Sequence, residues 1–235
     1  MLTDTIEQLR SIALAADDAS GHFPAMYARV TERVEIAAAS GRFDDGARME
    51  RFAEAFAAWY VRARSGHGAV PACWRAAFDV ADDSHLMIVQ HLLLGINAHV
   101  NHDLPQVVVE LAPEGDDPTA LRADYDAVND LLAETLPEVL RSLGTVSRWV
   151  NLLAARGGER AFDFSLGVAR RQAWTTAERL RRLPADARRV DVAELDRLVA
   201  VLAYLVANPG RPMSWAVAAG RRLEDHDARA VTRSL

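Results

Sequence analysis

Lysine is absent from this 235-residue chain: all 27 basic residues are arginine. A Schiff-base or pyridoxal-phosphate mechanism needs a lysine amine, and a nucleotide P-loop needs its Gly-Lys pair. Both are excluded. Cysteine is nearly absent too. Cys73 stands alone, so no internal disulfide and no zinc site built on cysteines is expected. No apolar run approaches the ~18 residues that span a bilayer. The opening stretch Met1-Leu-Thr-Asp-Thr-Ile-Glu lacks the basic region and apolar core of a secretory leader. Net charge is −6 with no basic block, which argues against nucleic acid and anionic membranes as partners. These absences together point to a cytoplasmic protein.

What is present is ordinary globular composition, with 50% apolar and 26% charged residues and enough length for a substantial core. Helical periodicity dominates. Asp4-x-x-Glu7 reads as a helix start, and Tyr27, Val30, Val34 and Ala37 share one face of the next helix. Phe52, Phe56, Trp59 and Tyr60 mark a third, and Pro71 opens a fourth carrying Trp74 and Phe78. Asp82-Asp83-Ser84 is placed to cap a strongly apolar helix, and Asp191-x-x-Glu194 to cap another running through Val206. The only strand-like stretch, Val107-Val-Val, is short and isolated. The expected fold is all-α: a single compact multi-helix bundle over residues 1–235, of about eight to ten helices. The segment Ser84 to Asp103 is its central buried helix.

That segment carries the functional signal. In His91-Leu-Leu-Leu-Gly-Ile-Asn-Ala-His99-Val-Asn-His102-Asp103, positions 91, 95, 99 and 103 form a row along one helix face. A polar stripe in an apolar helix has to be hydrogen-bonded, ion-paired or metal-bound. His99 and Asp103, one turn apart, offer an imidazole and a carboxylate to a zinc, iron or manganese ion, with His102 adjoining. His91 lies two turns away, roughly 12 Å along the axis, and suits a second ion, a substrate group or a hydrogen-bond partner. Pro105 biases Leu104 away from helix, which puts the stripe in a final turn or at a kink.

Elsewhere, Arg170 and Trp174 share a face of a long helix running from Ala161 to Leu183, an arrangement able to hold a substrate carboxylate or phosphate. Asp124, Tyr125 and Asn129 are candidates to bring a carboxylate or amide toward the stripe. No His-Glu-x-x-His and no di-iron Glu-x-x-His pair is present.

The segment Leu94-Gly-Ile-Asn97-Ala-His99-Val-Asn101-His-Asp103-Leu104-Pro resembles the signature of an uncharacterised microbial family, catalogued as a domain of unknown function. The resemblance extends to the Phe-rich helix before it, the Asp124-to-Asn129 region and Arg170-x-x-x-Trp174. It implies that Asn97, His99, Asn101 and Asp103 matter most, and it transfers no activity. The His-x-x-x-Asp spacing is also similar to that in zinc-dependent phospholipase C and the related single-strand nucleases, although their N-terminal Trp ligand is missing.

The leading expectation is a small metal-dependent enzyme that acts on a small organic molecule by hydrolase, lyase or oxygenase chemistry. His91, Asn97, His99, Asn101 and Asp103 would be catalytic, with His91, His99, His102 and Asp103 as metal ligands. Two readings stand beside it: a metal-free enzyme in which Asp103 orients His99 as acid and base, and a non-catalytic helical binding or interaction protein.

Overall fold

A computed structural model describes residues 2–66, 68–112, 118–155, 158–211 and 213–235. The periodic apolar faces become helices where caps and prolines define their ends. In chain order these are α1 (Leu2–Ala15), α2 (His22–Ala39), α3 (Gly46–Ser65), α4 (Ala72–Phe78), α5 (Ile88–Ala98) and α6 (Leu104–Leu111). They continue as α7 (Thr119–Val146), α8 (Arg148–Ala154), α9 (Gly158–Arg181), α10 (Ala185–Ala207), α11 (Met213–Arg221) and α12 (Ala228–Ser234). No strand occurs among the described residues, where β structure is limited to one isolated bridge between Ser147 and Glu224. The all-α expectation holds, and Val107-Val-Val lies inside α6. The segments outnumber the eight to ten expected because short helices fill the corners.

The caps explain where expected and observed boundaries differ. The Asp45 side chain accepts the Arg48 N–H at 2.8 Å and starts α3. α5 is not capped by Asp82-Asp83-Ser84. Instead the Gln90 side chain accepts the Met87 N–H (2.9 Å), and Glu224, from the far end of the chain, accepts the Ile88 N–H (3.0 Å). α10 begins at Ala185, directly after Pro184, and not at Asp191, which pairs with Arg179 of α9. Leu183 already precedes Pro184, so the break between α9 and α10 is set by that proline.

α5 and α6 form one rod through the centre of the fold, in contact with α2, α3, α4, α9 and α10. The main core gathers Leu9, Phe23, Tyr60, Trp74, Leu104 and Tyr125 around it. Gly95 of α5 allows α2 to approach: a Cβ there would lie 2.5 Å from Phe23 Cγ. α10 buries Val199 and Ala203 yet leaves Leu198, Val201, Leu202 and Leu205 exposed in a row.

Candidate functional site

The rod changes register at the stripe. His99–Asp103 form a π turn, and the Leu104 N–H donates to the His99 carbonyl five residues back. Proline at 105 has no N–H to give to the preceding turn, and the widened turn absorbs that loss. Leu104 is helical at φ −57°, ψ −44°, so the helix passes through Pro105 instead of ending there. The Gln106 side chain also donates to the His102 carbonyl at 2.9 Å.

The turn makes Asp103 a hub. Its Oδ2 accepts from His99 Nδ1 at 3.1 Å and from Trp74 Nε1 at 3.0 Å, while Oδ1 accepts from His102 Nδ1 at 2.7 Å. Asp103 is fully buried. Burial works against its charge, but the bonds from His102 and His99 outweigh that and hold its pKa below the ordinary carboxylate value. Burial pushes the His99 pKa down, against the pull of Asp103. His99 is therefore a neutral imidazole with its proton on Nδ1, leaving Nε2 with a free lone pair.

Around that ring stands an aromatic box. Phe56 stacks on it at 3.5 Å between centroids and 6° between planes. Tyr27 meets it edge-on at 4.6 Å and Phe23 at 5.5 Å. His99 Nε2 and the Tyr27 hydroxyl are buried and hydrogen-bond to no protein atom among the described residues. Burial, with Asp103 nearby, raises the Tyr27 pKa well above that of an ordinary phenol, so it stays a donor. Both residues line a cavity of about 230 Å³ between α2, α3, α5, α7, α8 and α9, whose wall among the described residues is apolar apart from His99, Tyr27, Thr31, Thr135 and Arg170.

The other expected site residues scatter around this centre. His91 lies on the far side of Phe23, its ring edge-on to His22 at 6.1 Å, and it does not line the cavity. The Asn97 amide donates to the Val199 carbonyl (3.0 Å) and accepts from Asn101 (3.0 Å), tying α10 to the rod. Arg170 is buried and lines the cavity, whereas Trp174 packs on Tyr125 at 4.9 Å and donates to Glu178. Asp124 points away from the stripe and accepts the N–H groups of Asp44 and Asp45 at 2.7 and 3.2 Å. Tyr125 and Asn129 do reach Arg170: the Tyr125 hydroxyl donates to its carbonyl (2.7 Å), and Asn129 Oδ1 accepts from its Nε (2.6 Å).

Residues 2–209 match a family described only as a family of unknown function, DUF5995. The chain belongs to this family. Neither the curated proteins nor the solved structures provide a match. The DUF5995 match spans every residue of the hub and the cavity, including Tyr27, Trp74, His99, Asp103 and Arg170.

Several residues of this DUF5995 site give no sign in the sequence. Tyr27, Phe56 and Trp74 sit on apolar helix faces and read as core, and nothing local distinguishes an aromatic that carries an unpaired hydroxyl or donates to a carboxylate. Cys73, His102 and Asp196 come together with one potential ligand atom each, all within 4.8 Å of one another. Asp196 Oδ1 and Oδ2 also accept the N–H groups of Cys73 and Ala72 at 2.9 and 2.8 Å. A lone cysteine rules out a cysteine-rich zinc site but not a mixed one, and this trio joins three distant elements that no spacing rule connects.

Proposed function

We propose that this protein binds an apolar small molecule in the central cavity and transfers protons on it through His99, without a metal. The observation that carries this is the unpaired, buried Nε2 of His99, which belongs to a cavity-lining ring fixed in one tautomer by Asp103. Asp103 holds the proton on Nδ1 and stabilises the imidazolium formed when Nε2 accepts one. Stacking on Phe56 fixes the ring plane. An apolar wall excludes water, which strengthens the electrostatic coupling within the dyad. The reading covers hydrolase and lyase chemistry of the kinds that use an imidazole base.

A second reading is supported by the trio Cys73, His102 and Asp196. Thiolate, imidazole and carboxylate are a suitable donor set for zinc. His102 already donates its Nδ1–H to Asp103, the outer-shell arrangement that turns Nε2 to a metal, once the Gln106 amide now 3.3 Å from Nε2 moves aside. An ion held instead by His99 and Asp103 would have to displace bonds that engage both Asp103 oxygens.

One experiment addresses both readings. Apolar enols, hydroxy compounds and esters are incubated with protein in deuterated water, and isotope incorporation and turnover are followed by NMR, with and without added zinc. The first reading expects exchange in wild type that is independent of zinc and lost in His99→Phe, with ligand binding retained. Exchange that needs zinc and is abolished by Cys73→Ser would establish the second. Binding without exchange in either protein would reject both and leave a binding protein.

A further inference from the structure

Arg170 is the only ionised side chain lining the cavity among the described residues. It is buried at 4% exposure. Its Nε donates to Asn129 Oδ1 and one terminal nitrogen donates to the Tyr125 carbonyl, at 2.6 and 3.1 Å. The guanidinium carbon lies 4.4 Å from the centre of the Tyr125 ring. All of these partners are neutral. Among the described residues Arg170 forms no ion pair, and the nearby Asp126 is taken by Arg122. Of the five N–H donors on a guanidinium, two are used by these bonds.

A buried cation with no ion pair of its own, and only the shared charge of Asp126 nearby, is a costly group for a fold to hold. Here it stands at the edge of an apolar cavity that also contains a phenol, Tyr27, with no acceptor among the described residues. We infer that the cavity binds an apolar carboxylate, a medium-chain fatty acid or a molecule built on one. The carboxylate sits on Arg170, and the hydrocarbon lies against the apolar wall formed by Val30, Phe52, Ile96, Leu132 and Val139. A planar carboxylate matches the guanidinium fork and carries one charge to its one. A phosphate monoester, at roughly −1.5 to −2, would leave excess negative charge buried. The volume of about 230 Å³ exceeds the ~150 Å³ of an apolar cavity that accepts benzene, so an alkyl chain fits. The inference rests on the cavity being a ligand site and not on proton transfer by His99.

Calorimetric titration at pH 7.5 with octanoate, 1-octanol and octylamine tests it. Octanoate is expected to bind wild type about 10- to 100-fold more tightly than 1-octanol, the range for hydrogen bonds to a charged group, and octylamine not at all. Arg170→Met should erase the preference by weakening octanoate about 10- to 100-fold. Equal affinity for acid and alcohol in wild type, or a preference that survives Arg170→Met, overturns the assignment while the cavity stands. If no compound binds, the cavity reading fails and this inference with it. Should Arg170→Met not fold, the three ligands on wild type decide alone.

Discussion

Asp103 shows what one buried carboxylate does when both of its oxygens are engaged. Trp74, His99 and His102 all donate to it, so it fixes a tryptophan and two imidazoles at once. Asp103→Asn keeps the shape but offers one acceptor oxygen and turns an N–H donor toward the other side. At least one of the three donors then faces a donor. The expected loss is about 1–3 kcal/mol of stability, read from the urea midpoint. His99 should also lose its fixed tautomer, which ¹⁵N shifts of the ring nitrogens would report. A midpoint unchanged within about 0.5 kcal/mol would mean that the hub contributes nothing to the fold. The His99–Asp103 pairing is legible from four-residue spacing alone, because an imidazole and a carboxylate one turn apart in an apolar helix have few alternatives. Trp74 as the second donor is not, since it arrives from another helix.

At the scale of elements, the helices were legible and their register at the site was not. Apolar periodicity marks α2, α3, α5 and α9 plainly, but it cannot show that Pro105 is accommodated by a π turn, and that turn brings His102 and His99 onto one carboxylate. Gly95 reads differently by spacing and by packing. As a gap in the polar row it suggests free space between His91 and His99, whereas that space holds the ring of Phe23. The two views predict opposite signs. Helix propensity alone favours Gly95→Ala by about 1 kcal/mol. The new methyl would meet Phe23, itself packed against Tyr60, Trp74 and His99, and overpacking of this kind costs roughly 1–3 kcal/mol. Thermal unfolding of Gly95→Ala should therefore show a lower midpoint. A higher one would show that α2 can move away freely.

For the molecule as a whole, the sequence conveys the class of fold but not how its two ends are joined, because those contacts link residues more than a hundred positions apart. His22 at the start of α2 bonds Thr232 of α12 through Nδ1 at 3.0 Å and faces His91 of α5. Burial, and for His22 the neighbouring His91 as well, lowers both imidazoles from 6.5 to about 4; Arg221 of α11 adds to this, and Asp18 and Asp83 oppose it. A base whose pKa is depressed by folding binds fewer protons folded than unfolded between those two values. Stability is then complete above about pH 6.5 and falls as pH drops toward 4, where the folded rings begin to protonate as well. The expected loss between pH 7 and 5 is on the order of 2–4 kcal/mol for the pair. Urea unfolding across that range should show it in wild type. The double variant His22→Asn with His91→Phe keeps an amide for Thr232 and a ring at 91 while removing both titrations. Its stability should change by less than half as much over the same interval. An equal slope in the variant would place the acid sensitivity elsewhere and break the link between this histidine pair and the junction of the chain ends.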